Sequence, residues 1–547
     1  MQLFLAFVVA LSITAALIPP LAHWAPRVGL TDAPGPRKVH SAPVPRVGGI
    51  AMAAGILVPA LFMLNLNAAL DGMFAGLLVL LIVGVWDDRV NASYWSKFLG
   101  QFAAVALCMH IGDIRIDTLA FGELPAAVSW VLTFVFLVGV TNAVNLSDGL
   151  DGLAGGMAML CLAGIALLAA MSGNGLVIAV ATIEAGAILG FLRFNTHPAR
   201  VFMGDGGSQV LGFSIGVLAI LATQGENVAV SAALPLLLIG VPIIDTCGVM
   251  VRRLLEGRSP FSSDRNHLHH KLLYLGFDHR AAVILIYGLQ AALFLLAFFL
   301  RFESDLLIGS LFCGFAIAAL GTLRWLGRIG WRADTGVWRH ARPDGSIERW
   351  VFARLPQGRL QWLALLAMGA ALSAYVAMTL VISDRVDGDL GILCVGVLGA
   401  LLILLNVARS ESSRVWVDRA AAYVGVVLIV YLDQTAPGKS ELVVSASWTL
   451  LAITGAAALL RFWLSPARRI EVTSLDVLVV FIAVVLPNLA GSIPLPADLP
   501  AGITKAIVLL YVVEVLFGMD LRRNVPRAAL ALTFGVIAAR SLITQIL

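Results

Sequence analysis

Apolar runs of about 17–25 residues, the length that crosses a bilayer as a helix, follow one another almost from end to end of this chain. They begin near Leu3–Leu21, Gly48–Leu64, Ala69–Trp86 and Phe98–Ile111. Only 13% of the 547 residues are charged and 60% are hydrophobic, whereas soluble domains usually carry about a quarter charged residues. The pattern excludes a soluble globule and predicts an all-α polytopic membrane protein with roughly 18 transmembrane helices. Residues 1–22 read as the first span rather than a cleaved leader, because Met1-Gln2 offers no basic segment ahead of the apolar run. Cys108, Cys161, Cys247, Cys313 and Cys394 lie in or beside apolar runs without metal-type spacing, so packing is expected of them rather than a disulfide framework. No nucleic-acid partner is expected.

Charge alternates from loop to loop. The segments 23–46, 87–97, 193–206, 252–280, 324–360, 409–419, 461–469 and 522–527 hold most of the 37 Lys and Arg, whereas the intervening loops carry Asp113, Asp117, Glu123, Asp384, Asp387 and Asp389. The positive-inside rule then places the basic loops in the cytoplasm and the amino terminus outside. Three regions are predicted. Residues 1–325 contain every Asp-, Asn- and His-rich cluster. Residues 326–360 form an Arg- and Trp-rich linker in which 337–355 reads as a small interfacial β-hairpin around Pro343-Asp344-Gly345, suited to membrane lipids with anionic headgroups. Residues 361–547 are further transmembrane helices with no comparable polar constellation.

Polar clusters in the first region sit on the cytoplasmic side. A proline-stiffened basic loop runs from Asp32 to Gly49, with Arg37, Lys38, His40 and Arg46. It suits either an anionic lipid headgroup or a topology signal. Asp87 and Asp88 are adjacent at the end of an apolar run, with Lys97 and Gln101 following. Like charges so close call for Mg²⁺, a basic group or a shared proton, unless the helix end is simply solvated. Asn142 to Gly156 packs two amides, two carboxylates and four glycines into fifteen residues. Within it Asn142, Asn145, Asp148 and Asp151 suit a polar ligand or metal, and the glycines allow close approach to a phosphate. Asp205 stands among glycines ahead of the apolar run from Val210, where it either binds a ligand or merely caps a helix. Arg265, His267, His269, His270 and Lys271 form a cationic patch suited to pyrophosphate or sugar hydroxyls. The hard oxygen donors elsewhere favour Mg²⁺ over zinc.

Taken in order, Asp87-Asp88, Asn142-x-x-Asn145-x-x-Asp148-Gly-x-Asp151-Gly-Leu, Phe202-Met-Gly-Asp205-x-Gly-Ser208 and Pro260-Phe-x-x-Asp264-Arg265-x-His267-Leu-His269-His270 resemble the polyprenyl-phosphate N-acetylhexosamine-1-phosphate transferases over about residues 1–325. The His-Leu-His-His segment is more similar to the undecaprenyl-phosphate GlcNAc-1-phosphate branch, which starts O-antigen and teichoic acid synthesis, than to the muramoyl-pentapeptide branch. The resemblance implies a bacterial inner-membrane enzyme whose active site faces the cytoplasm. It would transfer a HexNAc-1-phosphate, GlcNAc first among the candidates, from a UDP-N-acetylhexosamine to undecaprenyl phosphate, releasing UMP with Mg²⁺, or Mn²⁺ in its place.

The resemblance also implies roles. Asp205 would bind the metal with help from Asn145, and Lys97 would contact the diphosphate. Asp87 and Asp88 would lie at the lipid phosphate or metal, Asn142, Asp148 and Asp151 around the nucleotide, and Arg265, His267 and His269 at the sugar phosphate, with His270 beside them. The helices after residue 361 depart from the family's usual length. A docking role for a downstream glycosyltransferase or flippase is expected of them, and a homodimer is compatible with the pattern. The rival readings are a secondary transporter, whose coupling residues would sit near the bilayer midplane, and a catalytically inactive scaffold.

Overall fold

The computed structural model describes residues 2–33, 43–224, 230–259, 266–333, 357–383, 388–407, 411–436, 439–463, 473–489, 499–517 and 524–546. The chain is an all-helical polytopic membrane protein. Ten helices among these residues are long and apolar enough to cross a bilayer, so the count of roughly 18 read from hydropathy is not established. Part of the difference is length: some apolar runs fold into shorter helices, such as the 16-residue Gly48–Met63. The hairpin expected at 337–355 and the segment holding Arg265 lie outside the described residues.

Two compact units are present, the first comprising Met1–Thr335 with Thr473–Leu478, the second Gly336–Val472 with Val479–Leu547. The first opens with α1 (Gln2–Val28), a strand pair β1 (Thr31–Asp32) and β2 (Val44–Pro45), α2 (Gly48–Met63), α3 (Ala68–Val90) and α4 (Tyr94–Gly112). A two-residue pair β3 (Thr118–Leu119) and β4 (Gly122–Glu123) precedes α5 (Ala126–Ser147), α6 (Leu153–Ser172), α7 (Gly175–Asn195), α8 (Gly204–Thr223) and α9 (Leu234–Leu238). It closes with α10 (Gly240–Leu255), α11 (Leu268–Tyr274), α12 (His279–Phe299) and α13 (Asp305–Arg328). Both strand pairs are antiparallel.

α8 is the axis of this unit. Every residue from Gly206 to Ile220 is buried, and α2, α3, α5 and α6 pack around it. Small residues make that possible, since apolar helices in lipid gain stability by close backbone approach rather than by escaping water. A Cβ on Gly84 of α3 would run into the Gly206 backbone, and one on Gly212 would meet Thr141 of α5 at about 2.9 Å. The Gly84 approach brings the carboxyl end of α3 to the amino end of α8, and this sets the site described below. Glu184 of α7 is fully buried and accepts a hydrogen bond from Ser214. Cys108, Cys161 and Cys394 are buried as expected of packing residues, but Cys247 and Cys313 are exposed.

The second unit contains α14 (Gln357–Ile382), α15 (Gly388–Val407), α16 (Glu411–Thr435), α17 (Glu441–Trp463), the part of α18 (Ser474–Leu489) from Val479 onward, α19 (Leu499–Phe517) and α20 (Asn524–Ile546). α14 packs on α17, α15 on α20, and α16 on α19. Contrary to the sequence reading, this half does assemble a polar cluster. Lys505 of α19 donates to Asp433 of α16 at 2.6 Å and to Ser447 of α17 at 2.9 Å, all three side chains being buried. Its members come singly from three helices, so no local motif announces them.

Candidate functional site

Two carboxylates at the end of a helix meet the negative pole of its dipole, and burying them costs several kcal/mol more unless partners are supplied. Asp87 and Asp88, in the last turn of α3, are only 4% and 6% exposed. Asn91, in the left-handed region at φ 49°, ends the helix just after them. Their partners come from two directions. Lys97, in the first turn of α4, places Nζ 2.5 Å from Asp87 Oδ2 and 2.5 Å from Asp205 Oδ2. Asp88 turns the other way and accepts the backbone N–H groups of Asp205 at 3.1 Å and Gly206 at 3.3 Å, one on each oxygen.

Asp88 therefore caps α8 from outside, and the positive pole of α8 compensates a charge that α3 disfavours. Asp205 is not the capping residue, since it lies inside the first turn of α8, beyond the N-cap Met203. Its carboxylate faces Lys97 and Asp87 instead. Gly204 has φ +74°, and a Cβ there would overlap the Asp88 carboxylate, so glycine is required by both conformation and space. Arg46 reaches Asp88 Oδ1 at 3.6 Å and pairs with Asp32. Its segment is stitched to the approach to α8 by Gly48 N–H to Phe202 O at 3.0 Å and Gly49 N–H to Met203 O at 2.9 Å. The remainder of the basic loop, with Arg37, Lys38 and His40, lies outside the described residues.

Asn142, near the end of α5, is locked to Gln101 of α4 through a reciprocal amide pair of 2.7 and 3.2 Å, and Gln101 also donates to Gln209 of α8. Asn145 closes α5 by accepting the Asp148 N–H on its carbonyl. Its side chain is half-buried. Asp148 is within electrostatic reach of Asp205, Asp88 and Asp151. Burial first, then these three charges, push its carboxyl up to about 7.

That shift has a testable sign. A carboxyl that keeps its proton in the fold stabilises fully below its unfolded value of about 4 and loses that contribution as pH rises through its folded value. Between pH 5 and 8 the thermal midpoint of the wild type in detergent should fall more steeply than that of Asp148→Asn. Parallel curves would exclude a proton on Asp148.

Asp151 sits in the turn before α6 and behaves oppositely. Burial opposes its charge, but His197 Nδ1 at 2.7 Å and the Ala199 N–H at 3.0 Å hold its carboxyl below the usual range. His279 Nε2 lies 4.0 Å away, and the His197 and His279 rings stack at 4.2 Å. Neither histidine was given a role from the sequence: His197 stands in the α7–α8 connection and His279 opens α12, and no spacing signal links them. Asn195 ties this turn to the α7–α8 connection, accepting the Gly152 N–H and donating to Val201 O, each at 2.9 Å.

The histidine segment starts α11. His269 lies over Gly149, where a Cβ would collide with its imidazole. The segment thus closes on the Asp148 turn. Burial, reinforced by His270, pushes the His269 ring down to about 3, so it is neutral at physiological pH and does not add to the cationic patch expected from the sequence. His270 tilts against it at 4.2 Å, and the His267 ring lies parallel to it at 5.9 Å. His267 Nδ1 is 3.0 Å from Asp245 Oδ2, another residue the sequence reading overlooked because it lies within the apolar run of α10.

The chain thus brings Asp87, Asp88, Lys97 and Asp205 into one contact network, with Asp148 in range and His269 behind it. Residues 70–223, which span all of these acidic groups, match the family model described as glycosyl transferase family 4. A Bacillus subtilis protein described as a probable undecaprenyl-phosphate N-acetylglucosaminyl 1-phosphate transferase is 34% identical over 292 residues, 52% of this chain and 81% of that protein. This chain belongs to glycosyl transferase family 4. The decaprenyl-phosphate N-acetylglucosaminephosphotransferase of Mycolicibacterium smegmatis is 36% identical over 296 residues, 48% of this chain and 73% of the relative. An undecaprenyl-phosphate alpha-N-acetylglucosaminyl 1-phosphate transferase of Escherichia coli is 34% identical over 284 residues, 49% and 76% respectively. The family match ends at residue 223, so the histidine segment lies beyond it, and each of these alignments leaves roughly half of the chain without a counterpart.

Proposed function

We propose that the chain transfers a HexNAc-1-phosphate, GlcNAc-1-phosphate first, from a UDP-sugar to undecaprenyl phosphate at the cytoplasmic face of a bacterial inner membrane, releasing UMP. The observation that carries this reading is the single ammonium of Lys97 shared between Asp87 and Asp205. Two carboxylates held together by one cation form a centre that a diphosphate can enter only with further positive charge.

Asp87 Oδ1 is buried without a hydrogen-bond partner, and it stands with Asp205 as a pair of hard oxygen donors, the type Mg²⁺ takes alongside substrate phosphates. Asp87 and Asp205 would hold the ion, which when bound neutralises the diphosphate as charge moves to the departing UMP. Lys97 then rotates toward the diphosphate, and Arg46 faces the lipid phosphate. An oxygen of the lipid phosphate attacks the sugar-bearing phosphorus, the bond to the UMP oxygen breaks, and UMP carries away the electron pair. A phosphate monoester with a second pKa near ~6 is already mostly dianionic at neutral pH, so no strong general base is required. Asp88 is committed to the amides of α8, which leaves Asp87 as the carboxylate that a covalent route would use. Trapping Asp87 with a covalently attached HexNAc-1-phosphate, and free UMP, after UDP-sugar alone would replace direct attack with a two-step route.

What supports the cytoplasmic assignment is the positive-inside reading of the basic segments 23–46, 87–97 and 193–206, which carry Arg46, Lys97 and Arg200. The purified chain, given undecaprenyl phosphate, Mg²⁺ and each of UDP-GlcNAc, UDP-GalNAc and the QuiNAc and FucNAc donors in turn, should release UMP fastest with UDP-GlcNAc. Release that does not depend on the lipid phosphate, or none with any donor, would remove this reading. Flux across proteoliposomes without UMP would favour a transporter.

A further inference from the structure

We propose that Asp245 is a positioning residue for the phospho-sugar transfer: it fixes the ring of His267 and starts α11, and so sets the histidine segment against the Asp148–Gly149 turn. The proposal deepens the functional reading above and rests on it for its kinetic part.

Asp245 is 4% exposed. Behind it lies a small cavity whose other lining side chains, among them Val241, Ile244, Leu289, Phe315 and Leu320, are apolar. A carboxylate in such surroundings is retained only if its oxygens are satisfied, since desolvation otherwise costs several kcal/mol. Both are satisfied by the histidine segment. Oδ2 takes His267 Nδ1 at 3.0 Å and Oδ1 takes the Leu268 N–H at 2.6 Å. Among the described residues no Lys or Arg forms an ion pair with it. The position of Asp245 is itself fixed, because Gln290 of α12 accepts the Val241 N–H at 3.1 Å and donates to Leu238 O at 2.7 Å, pinning the start of α10.

Two consequences follow for the segment. α11 is a seven-residue helix whose N-cap, His267, makes no side-chain cap bond, and Asp245 supplies from α10 the acceptor that a serine or aspartate cap usually provides. The same carboxylate requires the proton of His267 on Nδ1, which leaves Nε2 as the ring atom that can meet a substrate oxygen. The His267 ring lies parallel to that of His269 at 5.9 Å, and His269 lies over Gly149. Rotation of His267 would therefore be felt at the Asp148 turn. Asp245 touches no reacting atom, and it acts through His267.

The test uses the purified full chain and Asp245→Asn, which preserves volume and still accepts the Leu268 N–H. Its amide donates toward His267 Nδ1, so the ring must move its proton to Nε2. Histidine ¹⁵N spectra should show the Nδ1–H tautomer for His267 in the wild type and the Nε2–H tautomer in the variant. That readout does not depend on turnover, so it separates failure of this proposal from failure of the assigned reaction. In the UMP assay kcat should fall about 100-fold, with KM for the UDP-sugar changed less than about threefold. Asp245→Asn combined with His267→Gln should be no slower than His267→Gln alone, because the two act as one unit, and Asp245→Glu should recover part of the rate. An unchanged tautomer, or effects of the two substitutions that multiply, would overturn the proposal and leave Asp245 as a packing or capping residue only.

Discussion

Replacing Lys97 with methionine is expected to lower turnover by about 10²–10³-fold, the loss usually seen when one charge-stabilising donor is removed from a site. Methionine keeps most of the apolar stem, so the effect reports on the ammonium. In the wild type that ammonium is 2.5 Å from oxygens of both Asp87 and Asp205. Without it the buried Asp87 carboxylate and the partly exposed Asp205 carboxylate face each other, and leaving a buried charge without its partner destabilises the fold. Lys97→Met should therefore also melt at lower temperature. Adding Asp87→Asn removes one of the repelling charges and should restore most of the lost midpoint while leaving turnover low. Recovery of both together would mean that Lys97 serves stability alone.

The second large effect is expected at Asp88. Asp88→Ala leaves the Asp205 and Gly206 N–H groups of α8 without their acceptor, at about 1–3 kcal/mol for each buried group left unpaired. Because Asp205 stands on that first turn, loosening it displaces the very carboxylate that faces Lys97. Both the thermal midpoint and turnover should fall steeply. Asp88→Asn retains one good acceptor and should lie between alanine and the wild type in both measurements. A direct role for Asp88 in binding the lipid phosphate predicts a different pattern, in which Asp88→Ala keeps the wild-type midpoint and raises only the KM for undecaprenyl phosphate.

Much of this site was legible because its chemistry is concentrated locally. Asp87-Asp88 and the Asn142–Gly156 stretch are so polar for an apolar chain that the sequence exposes them, and their order with Asp205 and His267–His270 points to the family. The helices α2, α3 and α4 begin and end within a few residues of the apolar runs that predict them. Contacts across the bundle were not legible. Asp245, His197 and His279 stand singly in apolar or irregular segments, and only the packing of α10 and of the α7–α8 connection brings them to their partners. The division of labour between the two adjacent carboxylates was equally hidden. Successive helix positions point in different directions, so Asp87 faces Lys97 while Asp88 faces the amides of α8, and only the Gly84–Gly206 approach makes the second possible. The Asp433–Lys505–Ser447 cluster escaped for the same reason, each member being alone on its helix.

Release of UMP from UDP-GlcNAc in the presence of undecaprenyl phosphate, followed across a Mg²⁺ titration for the wild type and for Asp205→Asn, tests most directly whether the carboxylates gathered around Lys97 perform the transfer. The wild type should form one lipid-diphosphate sugar for each UMP released and lose activity when the ion is chelated. Asp205→Asn should fall by about 10³-fold or more at every Mg²⁺ concentration. Turnover by Asp205→Asn close to that of the wild type, or transfer that persists unchanged without divalent ions, would contradict it.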